Sequence, residues 1–360
     1  MCYLKNTEQI GDQLVIDAYT ANASDIHFIP RKDEALVQYR VDDELVTKQV
    51  LSKERCERLI SHFKFLAAMD IGERRRPQNG SLSLMVKDFT VNLRLSTLPT
   101  AYEESLVIRI LPHESFFPLS QLSLFPNTTK KLISLLKHSH GLLVFTGPTG
   151  SGKTTTLYTL LHTTKRLFNR NIITLEDPIE KKSDDVLQVQ VNEKAGITYA
   201  SGLKAILRHD PDIIMVGEIR DAETAKIAIR AALTGHLVLT TMHTRNAQGA
   251  IYRLLEFGVL LQEIEQTLIG VAAQRLIELK CPFCHGKCSP LCKKMRTIRR
   301  ASVYELLYGR SLSEVMKEVK GESTSFHYQT LRDQINKGIA LGYLYPESLE
   351  QWGFVNDEEQ

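Results

Sequence analysis

Apolar residues follow two regimes along this chain. In the first third they alternate with polar ones. Leu82 and Leu84, then Leu93 and Leu95, flank a polar Lys87-Asp88, and Leu106, Ile108 and Ile110 continue the period of two. A period of two predicts a β-hairpin and a further strand. Between Ser52 and Ala67, residues Cys56, Leu59, Ile60, Phe63 and Ala67 recur at helical spacing, which predicts an amphipathic helix with Cys56 in the core rather than as a reactive thiol. Further on, alternation gives way to short unbroken runs: LLVFT from Leu142, IITLE from Ile172, DIIMV from Asp212 and HLVLT from His236. Such runs suit parallel strands buried on both faces. Helical segments separate the later ones, so the pattern predicts an α/β fold with a parallel sheet covered on both sides. Between the regimes, LPHESFFPLSQLSLFPN carries Pro112, Pro118 and Pro126 and no clean period, as a linker does.

Composition changes this picture little. A length of 360 residues suggests two or three domains. A net charge of +3 does not by itself imply a nucleic-acid binder. No run reaches the apolar length of a membrane span. The opening MCYLKNTEQIGD has no apolar signal region, so neither a secretory signal nor a lipid-modified Cys2 is expected. The acidic NDEEQ end reads as a solvated tail.

The stretch FTGPTGSGKTTTLY carries the chemistry. Gly147, Pro148, Thr149, Gly150, Ser151, Gly152, Lys153 and Thr154 match G-x-x-x-x-G-K-[ST], with an apolar run before and a helical segment from Thr154 after. Glycines let several N–H groups face one point, and the helix N-terminus adds positive potential. Gly147 to Thr155 are therefore expected to cradle a phosphate chain, with Lys153 on the β/γ-phosphates and the Thr154 hydroxyl on Mg²⁺; loops of this kind serve kinases, GTPases, helicases, transporters and motors alike. Acids stand at the ends of the apolar runs: Glu176, Asp177 and Glu180 after one, Glu218 after another. In an open parallel sheet ligands bind beyond the carboxyl ends of the strands. Lys153, Glu176 and Glu218 are thus expected to converge, with Glu218 as the leading catalytic acid. Each acid alone reads as readily as a helix cap or a surface charge. His236 and His243 bracket the fourth run, and His243 is placed to sense the γ-phosphate; an isolated histidine is more often a satisfied, half-buried one.

Beyond these residues the chain resembles the ATPases of type II secretion and type IV pilus assembly, including members that serve DNA uptake in Gram-positive bacteria. The resemblance rests on ASDIHFIP, RVDDEL, MDIGERRRPQNG, RLSTLPT, the phosphate loop, TLEDPIE, the long stretch from Gln188 to Thr244, and AAQRL, and runs from about Ala23 to Leu307. It implies an N-terminal PAS-like α+β domain over 1–111, a linker over 112–126, a RecA-like core over 127–280, a cysteine segment over 281–300 and a C-terminal helical region over 301–360. It further implies an acidic box at Thr174–Glu180, a second phosphate motif at Ile213–Glu218 and a histidine box at Gly235–Thr244. Arg94 and Arg109 fall where the family supplies arginines to the nucleotide; an exposed strand residue is the simpler reading of Arg94. The implied protein is a cytoplasmic ATP-driven ring of six on the inner face of the membrane. Its partners are a polytopic platform protein and, through it, pilin-like subunits of a competence pseudopilus. Retraction, another secretion system, or a non-motor scaffold that binds DNA are the alternatives. For the last, Arg74, Arg75 and Arg76 are the one basic run, here read as an interface element. The additional N-terminal domain of larger members is expected to be absent.

Four of the six cysteines, Cys281, Cys284, Cys288 and Cys292, crowd into CPFCHGKCSPLC. The family binds zinc there with two C-x-x-C pairs and a longer loop. The closer spacing here still allows four thiolates around one Zn²⁺, with His285 as a substitute ligand. A metal-free cluster or an Fe–S centre are the other readings.

Overall fold

The computed structural model describes residues 6–21, 23–41, 44–86, 89–111, 118–284, 288, 292, 298–323 and 325–352. The Lys87-Asp88 turn, Cys2, His285 and the NDEEQ tail lie outside them. The chain forms two compact units that divide after residue 115.

The first unit is an antiparallel sheet with two helices. Its elements are α1 (Thr7–Thr20), β1 (Asp25–Pro30), β2 (Glu34–Val41), β3 (Glu44–Ser52), α2 (Lys53–Leu66), β4 (Gln78–Val86), β5 (Phe89–Thr100) and β6 (Glu103–Leu111). The strand order is β3-β2-β1-β6-β5-β4. The expected hairpin is β4–β5, with Leu82 opposite Leu93. Alternation sets the faces. Leu93, Leu95, Ile108 and Ile110 are buried with Phe63, Leu59 and Ile60 of α2 and Leu14 and Val15 of α1, while Arg94 and Arg109 between them are exposed. Cys56 lies in this core, where burial pushes its thiol up to about 11. The register sets Arg40, Asp25, Arg109 and Arg94 directly across from one another on four neighbouring strands. In the basic run, Arg74 pairs with Glu57 at 3.6 Å and Arg76 with Glu73 at 3.9 Å.

The second unit holds a seven-stranded sheet, ordered β13-β12-β7-β11-β10-β8-β9. The four apolar runs are β7 (Gly141–Thr146), β8 (Ile172–Glu176), β10 (Ile213–Val216) and β11 (Leu237–Met242), all parallel and buried on both faces. Beyond β8 lies the short β9 (Leu187–Gln190). At the other side β12 (Leu268–Glu278) runs parallel to β7, and β13 (Arg300–Tyr308) returns antiparallel. Side chains of β7 show why both faces are apolar. Leu143 and Phe145 pack with α3 (Pro126–Leu135) and α4 (Lys153–Phe168), whereas Leu142 and Val144 join the core under α5 (Tyr199–Ile206), α6 (Ala222–Leu233), α7 (Ala247–Glu256) and α8 (Leu261–Thr267). This is the RecA-like α/β core.

Two segments differ from the expected boundaries. The region from 301 onward opens with β13, a core strand, before α9 (Gly309–Val319), α10 (Leu331–Ala340) and α11 (Ser348–Gln351). The second half of the expected linker is docked: Leu122 is buried, and the Leu124 N–H donates to the Ser302 carbonyl at 2.8 Å. Sparse leucines between prolines carried too little period to show that they pack on an edge strand.

Candidate nucleotide site

The phosphate loop joins β7 to α4. Gly147, Gly150 and Gly152 hold φ of 149°, 79° and 85°, the left-handed region that side chains disfavour. At Gly147 space is closed as well: an added Cβ would come 2.6 Å from the Gln274 carbonyl oxygen. Lys153 starts the helix and is buried. Its Nζ donates to the carbonyls of Gly147 at 2.7 Å and Pro148 at 3.0 Å. Burial presses the ammonium down to about 8; Glu218 and Glu180 pull it up and Arg275 pushes it lower. Ser151 Oγ is buried without a hydrogen-bond partner among the described residues. A curled backbone, a buried cation hydrogen-bonded to the loop's own carbonyls and an orphaned hydroxyl fit a phosphate chain. Thr154 is half-buried one residue further on and Thr155 is exposed.

Glu218, just past β10, meets this group. It accepts from Arg220, whose guanidinium also stands 3.9 Å from Asp177. His243 Nε2 lies 3.8 Å from its other oxygen. Burial lowers the His243 pKa, and Lys153 and Arg220 lower it further against the pull of Glu218, which favours the neutral ring. A hydroxyl pair sets the spacing of the two loops. Thr146 Oγ1, at the end of β7, lies 2.7 Å from Thr244 Oγ1 and accepts from the Thr244 N–H at 2.8 Å.

Glu176 does not join them. It is buried, and Tyr158 and Thr174 hydroxyls donate to its two oxygens, with Gln188 Nε2 at 3.2 Å. A carboxylate so enclosed by neutral donors holds β8, α4 and β9 together, and its side chain is committed to that work. His236 likewise turns to local partners, the Ala231 carbonyl at 3.1 Å and Thr234 Oγ1 at 3.2 Å. Arg94 and Arg109 belong to the first unit. Arg109 Nε donates to Asp25 at 2.9 Å, and Arg94 has no ion-pair partner among the described residues. Arg220 and Arg275 were not singled out from the sequence. The short spacing of Glu218 and Arg220 in GEIRD was the signal available for the first; nothing local marks the second.

The cysteines follow β12. Cys281, Cys284 and Cys288 bring their sulfurs within 4.8 Å of one another, and Cys284 and Cys288 are 3.7 Å apart. Tetrahedral Zn–S bonds of about 2.3 Å would separate ligand sulfurs by about 3.8 Å. Burial pushes the Cys281 thiol up, but the N–H groups of Phe283 and Cys284 and the thiols of Cys284 and Cys288 outweigh it and bring it to about 6. A thiol already poised to ionise suits a metal ligand. Cys292 stands outside that group of three.

The family described as type II/IV secretion system protein matches residues 5–351. The chain belongs to that family. Among secretion-family relatives, the competence protein ComGA of Bacillus subtilis (strain 168) is 61% identical over 350 residues, covering 97% of this chain and 98% of its own. The type II secretion system protein E of Pseudomonas aeruginosa is 46% identical over 271 residues, 74% of this chain but 53% of that one. Among solved structures, the pilus retraction motor PilT with bound ADP superposes with a TM-score of 0.70 at 25% identity over 97% of this chain and 98% of PilT. The ATPase DotB of Legionella pneumophila reaches 0.75 at 22% identity over 97% of this chain and 96% of DotB, a likeness of fold alone.

Proposed function

We propose that this chain is the ATP-hydrolysing motor of a competence-type secretion machine, powering assembly of a pseudopilus for DNA uptake. The observation that carries the chemistry is the meeting of Lys153, Glu218 and His243 at a glycine cradle beyond the carboxyl ends of β7 and β10. The near full-length likeness to ComGA favours assembly in competence over pilus retraction.

Residues Gly147 to Thr155 hold the phosphates through backbone N–H groups. Lys153 exchanges the carbonyls of Gly147 and Pro148 for β/γ-phosphate oxygens, and its desolvated charge acts strongly there. Thr154 offers its hydroxyl to Mg²⁺, which when bound neutralises phosphate charge. Glu218 orients the attacking water and takes up its proton. Arg220 holds that carboxylate in place, and neutral His243 donates toward the γ-phosphate. Arg94 and Arg109 stabilise charge that develops on the transferred group. In this reading six copies form a ring at the inner face of the membrane and drive a polytopic platform protein. No described helix is long and apolar enough to cross a membrane. Cys281, Cys284 and Cys288, with Cys292 drawn in, hold one Zn²⁺ as a structural staple.

The test is Glu218→Gln in purified protein and in cells. It is expected to keep ATP binding and abundance while hydrolysis falls by about two orders of magnitude or more and transformation is lost. Full transformation by a variant without ATPase activity would instead establish a scaffold.

A further inference from the structure

Arg275 on β12 is 5% exposed, a rare depth for a cation. Its Nη1 donates to the Gln274 carbonyl at 2.9 Å, and its Nη2 donates to the Arg245 carbonyl in the turn that leads from His243 into α7. A Cβ on Gly147 would stand 3.2 Å from that same Nη1, so the guanidinium lies directly behind the first glycine of the phosphate loop. Its Nε is buried with no hydrogen-bond partner among the described residues. Beyond it, the guanidinium carbon stands 5.4 Å from the ring centroid of Trp352, the residue that follows α11. Glu305, on β13 of the same hairpin, makes a parallel link. It accepts from the Ala247 N–H at 2.8 Å, where α7 begins, and from the Leu331 N–H at 3.0 Å, where α10 begins. Two buried charges of one hairpin thus join the His243–Ala247 turn to the helices over 331–352.

We propose that Arg275 is a positioning residue that transmits the state of the nucleotide site to the C-terminal helices, with Trp352 as its contact there. A guanidinium has five donors in a rigid fork. Here two grip carbonyls and the Nε is unsatisfied, so the buried group is under-bonded and a shift of the loop costs little to follow. When phosphates draw Lys153 off the Gly147 and Pro148 carbonyls, those carbonyls lose their cationic partner and the loop backbone shifts against Arg275. The contact with Trp352 changes with it. The inference rests on the reading of Gly147–Thr155 as a nucleotide cradle.

Trp352 is the only tryptophan in the chain, so its emission reads this contact without a label. The full-length protein is titrated with a non-hydrolysable ATP analogue and Mg²⁺, and occupancy is followed separately by displacement of a fluorescent nucleotide. Wild type is expected to change its Trp352 emission and iodide quenching along the displacement curve. Arg275→Lys keeps the charge but loses the fork. It is expected to bind within about twofold of wild type, to lose the tryptophan response, and to show a kcat lower by about tenfold with KM little changed. Should that variant melt early, Trp352→Leu carries the same test through a lower kcat at unchanged affinity, and full activity would refute the coupling. Displacement without any tryptophan response in wild type overturns this proposal alone. No displacement overturns the cradle reading and this proposal with it.

Discussion

Lys153 makes the sharpest demand on measurement. In the free chain its ammonium titrates at about 8 because burial opposes the charge more than Glu218 and Glu180 support it. A bound phosphate chain keeps the same group protonated well above that value. Affinity is therefore fully present below pH 8 and is lost as pH rises through it, since only protonated chains bind well. At pH 9 about one chain in ten still carries the proton, so the apparent Kd rises about tenfold between pH 7 and pH 9. A lysine at its usual value near 10.4 would lose only about 4% over the same range. The nucleotide adds no slope there, because phosphate oxygens with a pKa of about 6 are already ionised. Calorimetry of an ATP analogue in two buffers of different ionisation heat should show uptake of close to one proton per site at pH 9. Glu218→Gln removes a supporting charge and should move the break to lower pH, while Lys153→Arg should flatten the profile. A constant Kd from pH 7 to pH 9 without proton uptake would refute the reasoning.

Three further outcomes are expected. Arg94→Ala or Arg109→Ala should depress kcat by about tenfold or more while nucleotide affinity stays within about twofold; equal loss of both would point to folding or ground-state binding. Elemental analysis should find about one zinc per chain, absent in Cys284→Ser, with nucleotide binding retained; four freely titrating thiols in fully functional protein would refute the staple. Tyr158→Phe should cost about 1–3 kcal/mol in denaturant unfolding by leaving one Glu176 oxygen short of a donor, with kcat nearly intact, whereas a catalytic Glu176 would show a fall in rate instead.

The phosphate loop, the four buried strands and the first-unit hairpin were legible because each rests on local pattern: fixed glycine spacing, unbroken apolar runs, or strict alternation. The addition of β12 and β13 was not. LIGVAAQRLIE reads as a helix or a strand by periodicity, and only pairing of Gly270–Glu278 with Arg300–Tyr308 across the cysteine segment settles it. The acids show the same limit. Glu176 and Glu218 both follow apolar strands in sequence. What separates them is the neighbours brought by other elements: Tyr158 and Gln188 for one, Lys153 and His243 for the other. Arg275 was silent for the same reason, since its partners at Arg245 and Trp352 are remote in the chain.

The cross-strand row of Arg40, Asp25, Arg109 and Arg94 has a consequence in ionic strength. One carboxylate faces three guanidiniums, and Arg94 and Arg109 stand in solvent. Their field reaches roughly 8 Å in physiological salt and about 3 Å at 1 M. Lys153, walled in by the loop it anchors, feels little of that screening. Added salt therefore acts as a selective reagent on this molecule. It quiets the arginine row first and leaves the charge of the buried lysine largely as it was.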